Sequence, residues 1–154
     1  MSLAVLFPGQ GSIAPGAGRA YADHAAWDVV ARVEKIAGRL LAHLLLDETD
    51  DVTAALRTTD ATQLATLTLG LVAWEAIGER AVDAVAGHSL GQITALIAAG
   101  AVSFDDGVRL AVARADACRA ADDARPGRLA ALLGATVEQA ADACGAAPDA
   151  CWVA

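Results

Sequence analysis

Gly87-His88-Ser89-Leu90-Gly91 has the spacing G-x-S-x-G, a serine with a glycine two residues away on either side. A serine hydroxyl becomes a useful nucleophile when it projects from a sharp strand-to-helix turn, and flanking glycines let the backbone make that turn without a clash. The neighbouring segments suit such an elbow. Ala81 to Ala86 reads as a buried strand, and Gln92 to Ala99 continues as a helix. The first amides of that helix have no carbonyl partner and carry partial positive charge, so they can hold the oxyanion of an acyl-transfer intermediate. The chemistry indicated is acyl chemistry at Ser89. Taken alone, the pentapeptide reads equally well as a small-residue turn with a capping serine.

A second motif changes that balance. Leu3 to Phe7 is a short apolar strand that runs straight into Pro8-Gly9-Gln10-Gly11-Ser12, a glycine-rich loop that exposes backbone amides. FPGQGS and GHSLG together resemble the malonyl-CoA:acyl carrier protein transacylase family and the related acyltransferase domains of fatty-acid and polyketide synthesis. Thr62-Gln63-Leu64-Ala65 is similar to the family's T-Q-P-A segment, and Gly127 to Gly134 to the strand that opens its small subdomain. The resemblance runs along nearly the whole chain but covers only the first half of such an enzyme.

That resemblance implies an α/β fold. Residues 1–125 would be the N-terminal part of a doubly wound parallel-sheet core of α/β-hydrolase-like type, and 126–154 the beginning of a small ferredoxin-like subdomain, both incomplete in this chain. It implies a ping-pong transferase in which Ser89 attacks the malonyl thioester of coenzyme A and passes the acyl group to the phosphopantetheine thiol of an acyl carrier protein. Coenzyme A is then part of the substrate, and neither a bound cofactor nor a metal is required. The backbone amides of Gln10 and Leu90 would hold the oxyanion. Arg114 matches the family's arginine that pairs with the malonyl carboxylate, a task suited to a planar guanidinium that binds carboxylates bidentately. Without that match it would be one helix arginine among Arg109, Arg119 and Arg125. Ile13, Gln92 and Cys118 depart from the residues usual at their places, which bears on acyl preference and leaves the nucleophile and clamp in place.

The general base is the missing part. His88 is a neighbour of Ser89 in a tight turn, where adjacent side chains diverge, and His24 and His43 stand in no motif. In the family the base is a histidine of the second half, so the expectation is that residues 1–154 alone are inactive and that a C-terminal half, in the same polypeptide or a second chain, brings it. Two other readings remain: an α/β-hydrolase-type thioesterase or esterase, which leaves Gln10 and Arg114 unexplained, and a catalytically silent half-protein serving assembly or carrier docking.

The elements that must position these residues follow the same pattern. A strand over 3–7 and a glycine loop over 8–18 lead into helical stretches in 21–46 and 50–57, then a core helix over 61–78. A strand over 81–86, the elbow, and helices over 90–99 and 104–122 complete the first unit. After a composition break at Asp122 to Gly127, a strand over 128–134, a helix from Thr136 capped with Gln139, and a strand over 151–154 give a β-α-β start.

Composition sets the frame. With 56% hydrophobic but only 4% aromatic residues, the interior is built from Ala, Leu and Val. A net charge of −8 disfavours nucleic-acid binding, which needs a basic face. No apolar run reaches membrane-spanning length, since Thr62, Gln63, Thr66, Thr68 and Glu75 interrupt the one over 61–77. The start lacks a basic n-region, so a signal peptide is not expected. Cys118, Cys144 and Cys151 make no disulfide framework or metal spacing, which points to a reducing, cytoplasmic setting.

Overall fold

The computed structural model describes residues 2–78 and 81–153. Strand β1 (Ala4–Phe7) and strand β2 (Ala84–Gly87) form a parallel pair in register Ala4↔Ala84 to Phe7↔Gly87. Parallel strands cannot be joined by a tight turn and need a crossover. Here the crossover carries four helices: α1 (Asp28–Ala37), α2 (Ala42–Leu46), α3 (Asp50–Ala55) and α4 (Thr59–Ile77). Helix α5 (Gly91–Ala98) follows β2, and α6 (Phe104–Ala124) returns across the bundle.

Helix α4 is the expected core helix. Its residues from Thr62 to Thr68 are all buried, so it has no solvent stripe there and packs against α1, α5 and α6. Val33, Leu45, Leu64, Leu67, Val72, Leu90 and Val108 are fully buried around it. Ala111 and Ala115 present only methyl groups on the buried side of α6, which lets that helix approach closely.

Local signals in the sequence end and start these helices. Gly38 terminates α1 in the left-handed region with φ 65°, its N–H donating to Glu34 O. The Glu34 carboxylate then accepts from the amides of Leu41 and Ala42 at 2.6 and 2.8 Å, supplying the unpaired donors at the start of α2. Thr49 and Ser103 cap α3 and α6 through their hydroxyls.

The sheet positions the elbow and is covered on one face. Phe7 is buried and meets Trp74 of α4 edge to face, with centroids 6.0 Å apart. On the opposite face Ala4, Leu6, Ala84 and Ala86 are exposed, Leu6 to 75%. This chain thus supplies a parallel α/β core with one covered face. Among the described residues, no helix is long and apolar enough to cross a membrane.

Residues up to Ala124 form one compact unit and those from Arg125 another. In the second, Thr136 and Gln139 make the capping box of helix α7 (Val137–Gly145). The strand expected over 128–134 does not form, and neither does the one over 151–154 within its described residues 151–153. A strand needs a hydrogen-bonded neighbour, and none is available to either segment among the described residues. Leu129 and Leu133 are consequently left more than nine-tenths exposed.

Candidate active site

Strand β2 ends at Gly87 and helix α5 begins at Gly91, so the turn between them holds only His88, Ser89 and Leu90. Ser89 has φ 52° and is the only non-glycine residue with positive φ among the described residues. A left-handed serine costs about 1–2 kcal/mol, a strain held in place by its surroundings and characteristic of a nucleophile elbow. The glycines are dictated by contact. A Cβ on Gly87 would collide with the carbonyl of Gly91, and one on Gly91 with the carbonyls of Phe7 and Pro8. The amide of His88 donates to Phe7 O at 3.0 Å, tying the elbow to the end of β1.

The glycine-rich loop lies against that elbow. A Cβ on Gly9 would stand 2.7 Å from His88 Nδ1 and 2.9 Å from its carbonyl oxygen. Gly11 turns the loop with φ 91°, and the Ser12 hydroxyl donates to Gly9 O at 2.7 Å. The backbone amides of Gln10 and Leu90 donate to no acceptor among the described residues. Two motifs far apart in sequence therefore meet around one serine.

Arg114 completes the cluster from α6. Its Nη2 donates to Ser89 Oγ at 2.8 Å, and its Nη1 donates to Gln63 Oε1. The other arginines of that helix are paired: Arg109 with Asp106, and Arg119 with Asp60 and Asp123. Arg114 has no carboxylate partner among the described residues, although Asp105, Asp106, Asp116, Asp122 and Asp123 share its helix. A half-buried cation without an internal anion, held beside a strained serine, can bind an external carboxylate and favours ionisation of the hydroxyl.

None of the histidines makes a hydrogen bond to the Ser89 hydroxyl among the described residues. His88 is exposed and stands beside Gly9. His24 accepts from Ala26 N through Nδ1, capping a short turn, and His43 is exposed on α2. Cys118 is a free, half-buried thiol. Two concavities elsewhere, one lined by Val29, Leu71, Ile97 and Phe104 and one by Phe7, Ile13, Tyr21 and Thr66, include neither Ser89 nor Arg114.

Residues 5–149 match the family model described as the acyl transferase domain. The chain belongs to that acyl transferase family. The chain is 41% identical over 134 residues to the polyketide biosynthesis protein ThaF of Burkholderia thailandensis, covering 85% of the chain and 11% of that protein. It is 36% identical to the malonyl CoA-acyl carrier protein transacylase of Escherichia coli K12, covering 92% of the chain and 46% of the relative. Among solved structures it is similar to malonyl-CoA:acyl carrier protein transacylase (FabD) of Xanthomonas oryzae, with TM-score 0.76 and 32% identity, covering 95% of the chain and 48% of that one. A malonyl-transacylase solved in complex with a type II polyketide synthase acyl-carrier protein gives TM-score 0.76 at 28% identity, covering 97% of this chain and 49% of that one. The chain thus spans less than half the length of the transacylases it matches.

Sequence reasoning singled out Gly87, His88, Ser89, Leu90, Gly91, Gln10 and Arg114, and the fold brings them to one place. Two further polar residues at this cluster, Gln63 and Thr59, carried no assigned role. A glutamine in the middle of an apolar helix was the available signal, because a buried amide must find partners.

Proposed function

We propose that this chain is the nucleophile-bearing part of a malonyl-CoA:acyl carrier protein transacylase. The reading rests above all on the 2.8 Å contact from the Arg114 guanidinium to the Ser89 hydroxyl. A fixed, unpaired cation at that distance from the attacking oxygen selects an acyl group with a carboxylate close to its thioester carbonyl, as in malonyl. The malonyl CoA-acyl carrier protein transacylases among its relatives support the same substrate and carrier.

Ser89 attacks the thioester carbonyl and forms a serine ester, releasing coenzyme A as a thiol. The carrier's phosphopantetheine thiol then attacks that ester, takes the acyl group and regenerates the serine. The amides of Gln10 and Leu90 receive the oxyanion in both halves. Arg114, held beside Ser89, meets the carboxylate of the bound acyl group through Nη2. The base that takes the Ser89 proton is a histidine from outside residues 1–154, because His24, His43 and His88 do not reach the hydroxyl and the transacylases matched are about twice as long.

The test uses the full-length protein. Incubation with malonyl-CoA is expected to add one malonyl mass, mapped to Ser89 by peptide digestion, and Ser89→Ala is expected to remove it. Labelling that persists in the alanine variant overturns the assignment. Release of malonate to water faster than transfer to a carrier thiol instead favours the thioesterase reading.

A further inference from the structure

Gln63 is 1% exposed, and both ends of its amide are used. Oε1 accepts from Arg114 Nη1, while Nε2 donates to Thr59 Oγ1 at 3.2 Å. The Thr59 hydroxyl donates in turn to the side-chain Oε1 of Gln10 at 3.2 Å. Thr59 and Gln63 are one turn apart on α4, so their side chains share a face.

Donor and acceptor chemistry fixes the direction of this chain. A guanidinium has five donors and no acceptor, so only the oxygen end of the Gln63 amide can face Arg114. The nitrogen end must then face Thr59. The threonine oxygen is already accepting, and its own proton is directed to Gln10. The polarity imposed by Arg114 therefore runs through α4 to the loop whose backbone faces the elbow, and each bond polarises the next.

We propose that Gln63 is a positioning residue for Arg114, with Thr59 locking the orientation of its amide. The substrate consequence rests on the transacylase reading, whereas the positioning itself does not. A neutral amide suits the task where a carboxylate would not. It fixes one guanidinium nitrogen in a buried site and leaves the positive charge unneutralised for a ligand carboxylate. With Nη1 held, rotation about the Cζ–Nε bond is blocked and Nη2 stays beside Ser89. Glutamate at position 63 would form an internal ion pair and compete with the acyl carboxylate. A glutamine that served packing alone would affect stability and leave acyl preference untouched.

Two measurements test this, both on the full-length protein. Nitrogen NMR of arginine side chains, with Arg114 assigned through Arg114→Lys, is expected to resolve separate Nη1 and Nη2 signals in the wild type. Thr59→Ser should keep them separate, and Gln63→Leu and Thr59→Val should merge them. Single-turnover acylation of Ser89 from malonyl- and acetyl-CoA is then read by intact mass. Gln63→Glu is expected to lower the malonyl-to-acetyl ratio by roughly tenfold or more, mostly through the malonyl arm. Merged Nη signals in the wild type overturn the proposal, as does an unchanged ratio in a folded Gln63→Glu. Should Gln63→Leu fail to fold, Thr59→Val against Thr59→Ser carries the same comparison. Resolved signals with no labelling of wild-type Ser89 would support the positioning role and overturn the transacylase reading instead.

Discussion

Arg114 Nη2 lies 2.8 Å from Ser89 Oγ, so a side chain from the middle of α6 reaches a serine held in the left-handed region at the start of α5. Arg114→Ala removes a charge-assisted bidentate partner for a carboxylate. In the full-length protein the malonyl-to-acetyl preference in acylation is expected to fall on the order of a hundredfold, about 2.7 kcal/mol. Acetyl transfer should be little changed or improved. An unchanged preference would return Arg114 to the status of an ordinary helix arginine.

The backbone strain at Ser89 has a thermodynamic signature. Ser89→Gly is expected to be more stable than Ser89→Ala by about 1 kcal/mol, because glycine occupies positive φ without the Cβ penalty. Gly91→Ala should move the other way by ~2 kcal/mol or more, since its methyl group meets the Phe7 and Pro8 carbonyls. Chemical denaturation of the three variants beside the wild type measures both.

Asp60 makes part of the stability acid-sensitive. Burial pushes its carboxyl up, but hydrogen bonds from Arg119, Thr58 and its own backbone outweigh that and hold it below the usual aspartate value. A carboxyl lowered in the folded state stabilises the fold at neutral pH, and the contribution is lost as pH falls below about 4. Asp60→Asn is expected to lower the melting temperature at pH 7 and to flatten its fall between about pH 5 and 3. Equal slopes for both proteins would disprove the assignment.

In the second unit, the hydrogen bond with Cys151, 3.3 Å away, pushes the Cys144 thiol up. The thiolate is the form that reacts with alkylating agents. Alkylation of Cys144 is therefore expected to rise at lower pH in Cys151→Ala than in the wild type, followed by peptide mass spectrometry. Superimposable profiles would rule the coupling out.

Residues 1–154 alone are expected to give no malonyl transfer to a carrier protein, because no histidine among the described residues bonds to the Ser89 hydroxyl. An unactivated serine is a poor nucleophile at neutral pH. Turnover by this chain at rates ordinary for an enzyme would show that it holds its own base.

Sequence alone determined the parts that depend on local stereochemistry. Gly87 and Gly91 mark the elbow because any Cβ there meets backbone, and the Thr136–Gln139 pair marks a helix start through bonds within a few residues. The apolar, threonine-bearing run over 61–77 announced a buried helix, and both strands were legible as short apolar runs, although the second forms only over Ala84–Gly87 and leaves Ala84 and Ala86 exposed rather than buried, because no helix covers that face among the described residues. Tertiary structure decided what depends on partners distant in the chain. The segment 128–134 has the composition of a strand and stays irregular, since a strand exists only beside another. Thr59 lies outside the helices read from the sequence, and Gln63, read as part of the Thr62–Ala65 segment of the core helix, has no role there until α6 brings a guanidinium to its amide oxygen. The packing of α6, with Ala111 and Ala115 buried, against α4 is a property of neither sequence segment taken alone.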